Sequence, residues 1–196
     1  MRAAVLLLLL SSSAWAEGQW LTSRGRLLPQ PRLEVWGGPR TLGVGGMLSN
    51  EEGRAAWSAE ALYAFIDRVI ELRAARVWQL TPTRFATATA NLGTSLFVVP
   101  SGFDAGVGPN GGVTLSLGGQ TVSVDLGLQT GIDVFVRGAV RLPQRALVGV
   151  TARVFDFTIS AMARAGADIV PGHAFVGRGD FMVSVGWLLR SSSAAR

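Results

Sequence analysis

The chain has 196 residues, no cysteine and a formal net charge of +5, with 18 basic residues, all of them arginine, against 13 acidic ones. The absence of cysteine excludes a disulfide framework, a thiolate metal site and a cysteine nucleophile. The arginines are dispersed along the sequence rather than clustered beside aromatic residues, so the charge pattern argues against a nucleic-acid partner.

The first 16 residues have the pattern of a secretory signal peptide. Arg2 precedes an apolar run over residues 3–10, and the sequence "AWA" at 14–16 fits the small-x-small cleavage rule. The run is shorter than the roughly 20 apolar residues that a membrane-spanning helix needs. We therefore predict a signal peptide over 1–16, an N-terminal segment over 17–30, a β-barrel domain over 31–190 and a C-terminal tail over 191–196.

The next segments alternate between apolar and polar residues. Residues 32–49, "RLEVWGGPRTLGVGGMLS", read as one bent strand or as two, because "GGPR" is a turn signal. Residues 55–65 place their apolar set on odd positions, and after "IDR" the apolar set moves to even positions. This phase flip across a polar link predicts a tight hairpin. Residues 67–76 also fit helical spacing, so a helix is the alternative there.

Alternation continues through the middle of the chain. Residues 85–98 predict a strand, "SGFDAGVGPNGG" at 101–112 predicts a long exposed loop, and "VTLSL" predicts a short strand before a turn at "GGQ". Residues 121–136 show the most regular alternation and predict one long strand. A further phase flip predicts a tight turn at Phe155-Asp156, and a last strand is expected over 178–190.

Three features favour a membrane barrel over a soluble β-domain. Several predicted strands reach the 9–11 residues that a tilted membrane strand needs, whereas soluble strands average about 5–6. The polar face carries glycine, small polar residues and charges of both signs, which fit a narrow lumen. No continuous apolar run is available to close a soluble core. The fold class expected is all-β: a single antiparallel up-and-down transmembrane β-barrel of eight strands, with ten as the alternative.

This facing argument assigns two sets of residues. A candidate charge network in the lumen comprises Glu60, Glu71, Arg73, Asp125, Asp133, Arg153, Arg164, Arg178 and Asp180. Candidate aromatic residues at the lipid interface are Trp36, Trp57, Tyr63, Trp78 and Trp187.

The hairpin "YAFIDRVIELRA" at 63–74, the final strand "FMVSVGWLL" at 181–189 and the signal peptide resemble those of the small outer-membrane β-barrel family of Gram-negative bacteria. The resemblance is one of pattern and covers most of the mature chain. It implies location in the outer membrane and a non-enzymatic role as a structural or interaction subunit of the cell envelope, within a machine for motility, adhesion or polymer export. Outer-membrane lipid and other envelope proteins are the expected partners.

No catalytic motif emerges from the sequence. His173 is the single histidine, it lies beside a Pro-Gly pair, and no nucleophile elbow marks a serine that it could activate. No metal-ligand spacing is present, so we expect no cofactor and no metal site. Three alternatives stay open: a small-solute pore, a soluble periplasmic β-domain and, least favoured, a barrel enzyme.

Overall fold

The computed structural model describes residues 27–66, 68–83, 85–100, 104–172 and 175–189, apart from the side chains of Pro82, Val176 and Arg178. The predicted signal peptide, most of the predicted N-terminal segment, the tail over 191–196 and His173 lie outside this part of the chain. No helix among the described residues is long and apolar enough to cross a bilayer.

The alternating segments form β-strands almost throughout. The strands are β1 (Arg32–Gly37), β2 (Thr41–Ser49), β3 (Ala55–Ala64), β4 (Val69–Pro82), β5 (Ala86–Val99), β6 (Asp104–Gly118), β7 (Val122–Gly131), β8 (Asp133–Phe135), β9 (Val140–Val154), β10 (Phe157–Ile169) and β11 (Val176–Leu188).

The strands close into an antiparallel up-and-down barrel. Apart from β7 and β8, consecutive strands pair with each other, and β1 pairs with β11 from Arg32 opposite Leu188 to Gly37 opposite Val183. Strands β7 and β8 both lie between β6 and β9, so they occupy one position in the wall. The predicted all-β barrel is therefore confirmed, with the alternative count of ten strands rather than eight.

The extra strands come from two segments whose sequence was ambiguous. The "GGPR" motif does mark a turn, so residues 32–49 form two strands, β1 and β2. Residues 67–76, for which a helix was the alternative, belong largely to β4, where the apolar positions face one way at a period of two.

The predicted long loop over 101–112 is wrong, because β6 begins at Asp104 and runs unbroken to Gly118. Its glycines make room inside the barrel rather than forming a turn. A Cβ atom on Gly106 would overlap the ring of Phe135, and one on Gly108 would overlap the carboxylate of Asp133. Composition alone does not separate this use of glycine from a flexible loop.

The long strand predicted over 121–136 is present but interrupted at Ile132. Ile132 lies opposite Pro109 of β6 and donates its backbone N–H to the Pro109 carbonyl at 3.0 Å. Proline has no N–H, so Pro109 cannot donate a second ladder hydrogen bond to Ile132. Pro143 of β9, the strand on the other side, lies beside the same interruption. Prolines on both neighbouring strands thus account for the division between β7 and β8.

The barrel walls are strongly tilted. The tilt can be measured by stepping from Arg32 to its partner on the next strand, and so on around the barrel. One such circuit reaches β11 at Val176, whereas the direct partner of Arg32 on β11 is Leu188. The two positions on β11 differ by 12 residues. Such a stagger accompanies a strand tilt of about 35–45°. A strand of 13 residues, such as β10, then spans about 33 Å along the barrel axis.

The two rims of the barrel carry short connections. The terminal rim, as we name it, holds the start of β1, the end of β11 and the connections over 50–54, 83–85, 119–121 and 155–156. The opposite rim holds the connections over 38–40, 65–68, 100–103, 136–139 and 170–175. By these strand bounds, the connections have two to six residues each.

The two faces of the wall differ sharply. Every strand carries exposed apolar residues on its outward face, for example Val35, Leu72, Leu128 and Val185. Inward positions hold the buried residues, both polar and apolar, with Trp36, Met162 and Met182 among the largest. The packed core of this protein is its lumen.

Candidate functional site: the charge network in the lumen

Four charged residues form a cluster near the opposite rim, here called the rim quartet: Asp133, Arg141, Arg145 and Asp168. Arg141 donates from Nε and Nη2 to Asp133 Oδ2 at 2.9 and 2.6 Å, and its Nη1 lies 3.5 Å from Asp168 Oδ2. Arg145 Nη2 pairs with Asp168 Oδ1. Two carboxylates and two guanidinium groups balance in charge, so each buried ion has a counter-ion.

Backbone and aromatic contacts fix the orientation of the rim quartet. Arg145 Nη1 donates to the carbonyls of Gln144 and Ala167, both at 2.9 Å. The guanidinium of Arg141 lies 5.5 Å from the ring centroid of Phe97, a cation–π contact. Donors of both arginines are thereby directed at several acceptors at once, which holds the side chains in a single arrangement.

A second cluster occupies the middle of the barrel. Glu60 of β3 and Arg73 of β4 are directly paired across the strand ladder, and Glu71 also attracts Arg73 electrostatically. Arg73 Nη2 donates to Asn91 Oδ1 at 3.1 Å. Arg164 of β10 lies opposite Asp180 of β11, with Nη2 and Oδ2 3.6 Å apart. These groups come from five strands, β3, β4, β5, β10 and β11.

A third set lies toward the terminal rim. Arg32 Nε and Glu34 Oε2 of β1 are 3.3 Å apart. On the other side of the barrel, Thr151 Oγ1 donates to Asp125 Oδ2 at 3.1 Å, and Ser160 Oγ donates to Thr151 Oγ1 at 3.0 Å. A cavity of about 30 Å³ is lined by Arg32, Asp125 and Thr151 among others, which is room enough for ordered water.

The predicted lumen residues fall into three classes. Glu60, Glu71, Arg73, Asp125, Asp133 and Arg164 are buried on the inward face. Asp180 faces inward and pairs with Arg164, whereas Arg153 is half-buried at the terminal rim, where its Nε donates to the Phe155 carbonyl at 3.2 Å. The side chain of Arg178 lies outside the described part of the chain.

Sequence reasoning missed five buried charged residues of the lumen: Arg32, Glu34, Arg141, Arg145 and Asp168. The signal was present for β1, because Arg32 and Glu34 alternate with Leu33 and Val35. In β9, Pro143 argues against a strand, so the alternation that places Arg141 and Arg145 on the same face was not used to assign them to the lumen. The pairing of Asp168 with two arginines depends on the register of β9 against β10, which no local pattern reveals.

The predicted interface aromatics lie on the outer wall, with one exception. Trp57, Tyr63, Trp78 and Trp187 are exposed on outward positions. The ring of Trp187 stacks against Phe157 with centroids 6.3 Å apart. Trp57 and Trp187 lie close to the terminal rim and Tyr63 close to the opposite rim, so the aromatic residues flank the apolar band on both sides.

The assignment of Trp36 to the interface is wrong. Trp36 points into the lumen and is 1% exposed. It shares the parity of Arg32 and Glu34, so the register of β1 requires an inward side chain. The barrel accommodates the indole because position 43, on the neighbouring strand, is glycine.

Among the described residues, no group of three or more histidine, aspartate or glutamate side chains is arranged to hold a metal ion. Glu34, Glu60, Glu71, Asp133 and Asp168 instead face arginines, and Asp125 accepts a hydrogen bond from Thr151. The arrangement can fill the lumen, neutralise its own charge and lock the wall strands together, and it has the character of a structural network.

Comparisons with known proteins show no family for this chain. No family model matches the sequence, and no curated protein matches it. Among solved structures, CdiB from Acinetobacter baumannii resembles the chain with a TM-score of 0.38 and 9% identity, over 79% of this chain and 34% of that protein. The chain thus spans about a third of the length of that structure.

Proposed function

We propose that this chain is a non-enzymatic β-barrel of the Gram-negative outer membrane, exported by its signal peptide, that serves as a structural or interaction subunit of a multi-protein envelope machine for motility, adhesion or polymer export. The observation that carries the proposal is the inversion of the two faces. Large apolar side chains are exposed all round the outer wall, and charged residues such as Glu34, Arg73 and Asp168 are buried inside.

This inversion is what a lipid environment requires. Monomeric soluble proteins rarely expose contiguous apolar patches larger than a few hundred Å², and here every strand contributes to one apolar band. The axial span of about 33 Å, derived from strand length and tilt, matches a hydrocarbon core of about 30 Å. A closed barrel pairs the backbone groups that lipid cannot satisfy.

The interior supports a structural role over a pore or an enzyme. Inward side chains from Trp36, Leu147, Met162 and Met182 are buried together with the charged clusters. A substrate or solute would have to displace these packed groups and separate buried ion pairs. The surfaces left for function are the outer wall, the short connections and a cavity of about 730 Å³ at the terminal rim, lined by residues such as Gln79, Thr87 and Gln120. We therefore assign the role to contacts with other envelope components.

The test is gel mobility of the membrane fraction, boiled and unboiled, with the soluble fraction beside it. The proposal expects a band confined to membranes that migrates differently after heating. A soluble band without a heat shift would support the soluble periplasmic alternative. Crosslinking in intact cells would then look for partner proteins, and steady conductance of the purified protein in planar bilayers would support the pore instead.

A further inference from the structure

One outward position on the wall carries a charge. Arg76 belongs to β4 and has the parity of Ile70, Leu72 and Trp78, which all face outward. Among the outward strand positions that the structure describes, it is the one ionisable arginine, lysine or acidic residue. An ionisable residue at membrane depth is costly, so one on the lipid-facing wall suggests a partner for its charge.

The guanidinium group of Arg76 is held against an aromatic ring. Its Cζ atom lies 4.9 Å from the ring centroid of Trp57, the residue directly paired with it on β3. Trp57 is the third residue of β3, which starts at the terminal rim. The guanidinium group of Arg76 is therefore held beside a residue close to that rim, and Leu92 borders it on the β5 side.

Energetics favour a position of the charged group near the interface. Arginine on the lipid face of a barrel costs about 2–4 kcal/mol at the midplane and about 0–1 kcal/mol near the interface. A long stem allows the charged head to reach the interface, where tryptophan also prefers to lie. Among described residues the Arg76 guanidinium has no acidic partner, so its N–H donors face the membrane. Arginine matches phosphate oxygens with its planar fork of donors.

We propose that Arg76 and Trp57 form a binding site for the phosphate group of an anionic glycerophospholipid, one without a cationic headgroup to compete for the phosphate, in the leaflet at the terminal rim. The stacked indole holds the guanidinium at the depth of the headgroups, and the fork of Arg76 donates to the phosphate oxygens. The acyl chains then lie along the apolar wall beside Leu92 and Trp78. This inference rests on the proposed membrane location.

The experiment measures which lipids the full chain retains. The protein is placed in nanodiscs made of equal parts phosphatidylglycerol and phosphatidylcholine, released in the mass spectrometer, and the ratio of the two retained lipids is read. Wild type should favour phosphatidylglycerol by about fivefold, the effect of one arginine near an anionic surface. Arg76→Gln and Trp57→Leu should bring the ratio close to one.

Arg54→Gln is the matched control. Arg54 is exposed on a connection of the same rim and pairs with Glu52 at 3.3 Å, so its loss should leave the lipid ratio unchanged. An unaltered ratio in Arg76→Gln would overturn the site. In a last experiment, inorganic phosphate is added in excess. If it displaces the retained lipid, the site binds free phosphate and not a headgroup.

The heat-shift gel, run on the same preparations, separates the two levels of failure. If wild type lacks a heat-modifiable membrane band, the membrane proposal itself fails. If the band is present in wild type and in Arg76→Gln while their lipid ratios agree, the barrel stands and the headgroup site alone is rejected.

Discussion

Trp36 of β1 and Gly43 of β2 are directly paired across the strand ladder, and the indole ring occupies the space that a side chain at position 43 would need. A Cβ atom built on Gly43 would overlap the ring of Trp36. The largest buried side chain of the lumen is thus accommodated by the absence of its neighbour's side chain. Interdigitation of this kind fills a barrel interior at the density of a protein core.

Gly43→Ala should therefore destabilise the barrel. The added methyl group forces Trp36 out of its position, and overpacking of this kind costs about 1–3 kcal/mol. The free energy of unfolding in urea, measured in phospholipid vesicles by tryptophan fluorescence, provides the readout. Gly177→Ala is the control, because nothing lies within 4 Å of a Cβ atom there. Combining Gly43→Ala with Trp36→Leu should recover part of the loss, and additive losses would contradict the packing argument.

Asp168→Asn tests the rim quartet. Asp168 is 1% exposed and pairs with both Arg141 and Arg145, so its neutralisation leaves two buried guanidinium groups with one carboxylate. Removing one partner of a buried ion pair costs about 3–5 kcal/mol. The same unfolding measurement should show a loss near the lower figure. Glu52→Gln, which breaks the exposed pair with Arg54, should change stability by less than about 0.5 kcal/mol, and equal losses in the two variants would argue against a buried quartet.

The alternation of apolar and polar residues predicts most of the strands, and the predictions that were wrong have identifiable physical causes. Alternation marks a strand and its two faces, so β3, β4, β5 and the turn at Phe155-Asp156 follow from the sequence. It does not say how bulky an inward residue is permitted to be. Trp36 was assigned to the lipid side because aromatic residues favour that interface, and its true place depends on a glycine seven residues away.

Glycine is also the reason why most of β6 was predicted to be a loop. A run rich in glycine next to Pro109 has the composition of a loop, yet Gly106 and Gly108 lie in a strand beside Phe135 and Asp133. Their role appears only when the opposing side chains are known. The same limit applies to the charge network: parity identifies inward residues, whereas the partners of Asp168 depend on long-range register.

The energetic cost of a charge on the outer wall should depend on its depth in the membrane. Leu128 lies near the middle of the stretch from Val122 to Phe135 and is 62% exposed. Leu128→Arg should cost about 2–4 kcal/mol and Val122→Arg, at the end of the strand, about 0–1 kcal/mol. Unfolding in vesicles measures both. Equal costs at the two positions, or none at either, would mean that this face does not meet lipid.

Pro109→Ala should raise the stability of the barrel. The substitution supplies the N–H that proline lacks, and Ile132, whose own N–H already bonds to residue 109, lies in register to accept it. One recovered backbone hydrogen bond contributes about 1 kcal/mol. Urea unfolding is again the measurement, with Pro171→Ala on an exposed connection as the comparison. A loss of stability would show that the interruption at Ile132 is required by the fold.

The bond from the backbone N–H of Leu189 to the carbonyl of Pro31, at 2.8 Å, makes the first and last strands neighbours on the terminal rim. A short linker could join these two residues, and the chain could be opened instead at the connection over 50–54 on the same rim. Such a circular permutant would keep every strand pair, but β3 and β2 would become the first and last strands. The pair that closes the barrel is then a property of where the chain is cut, and the order of folding can be changed without altering the folded wall.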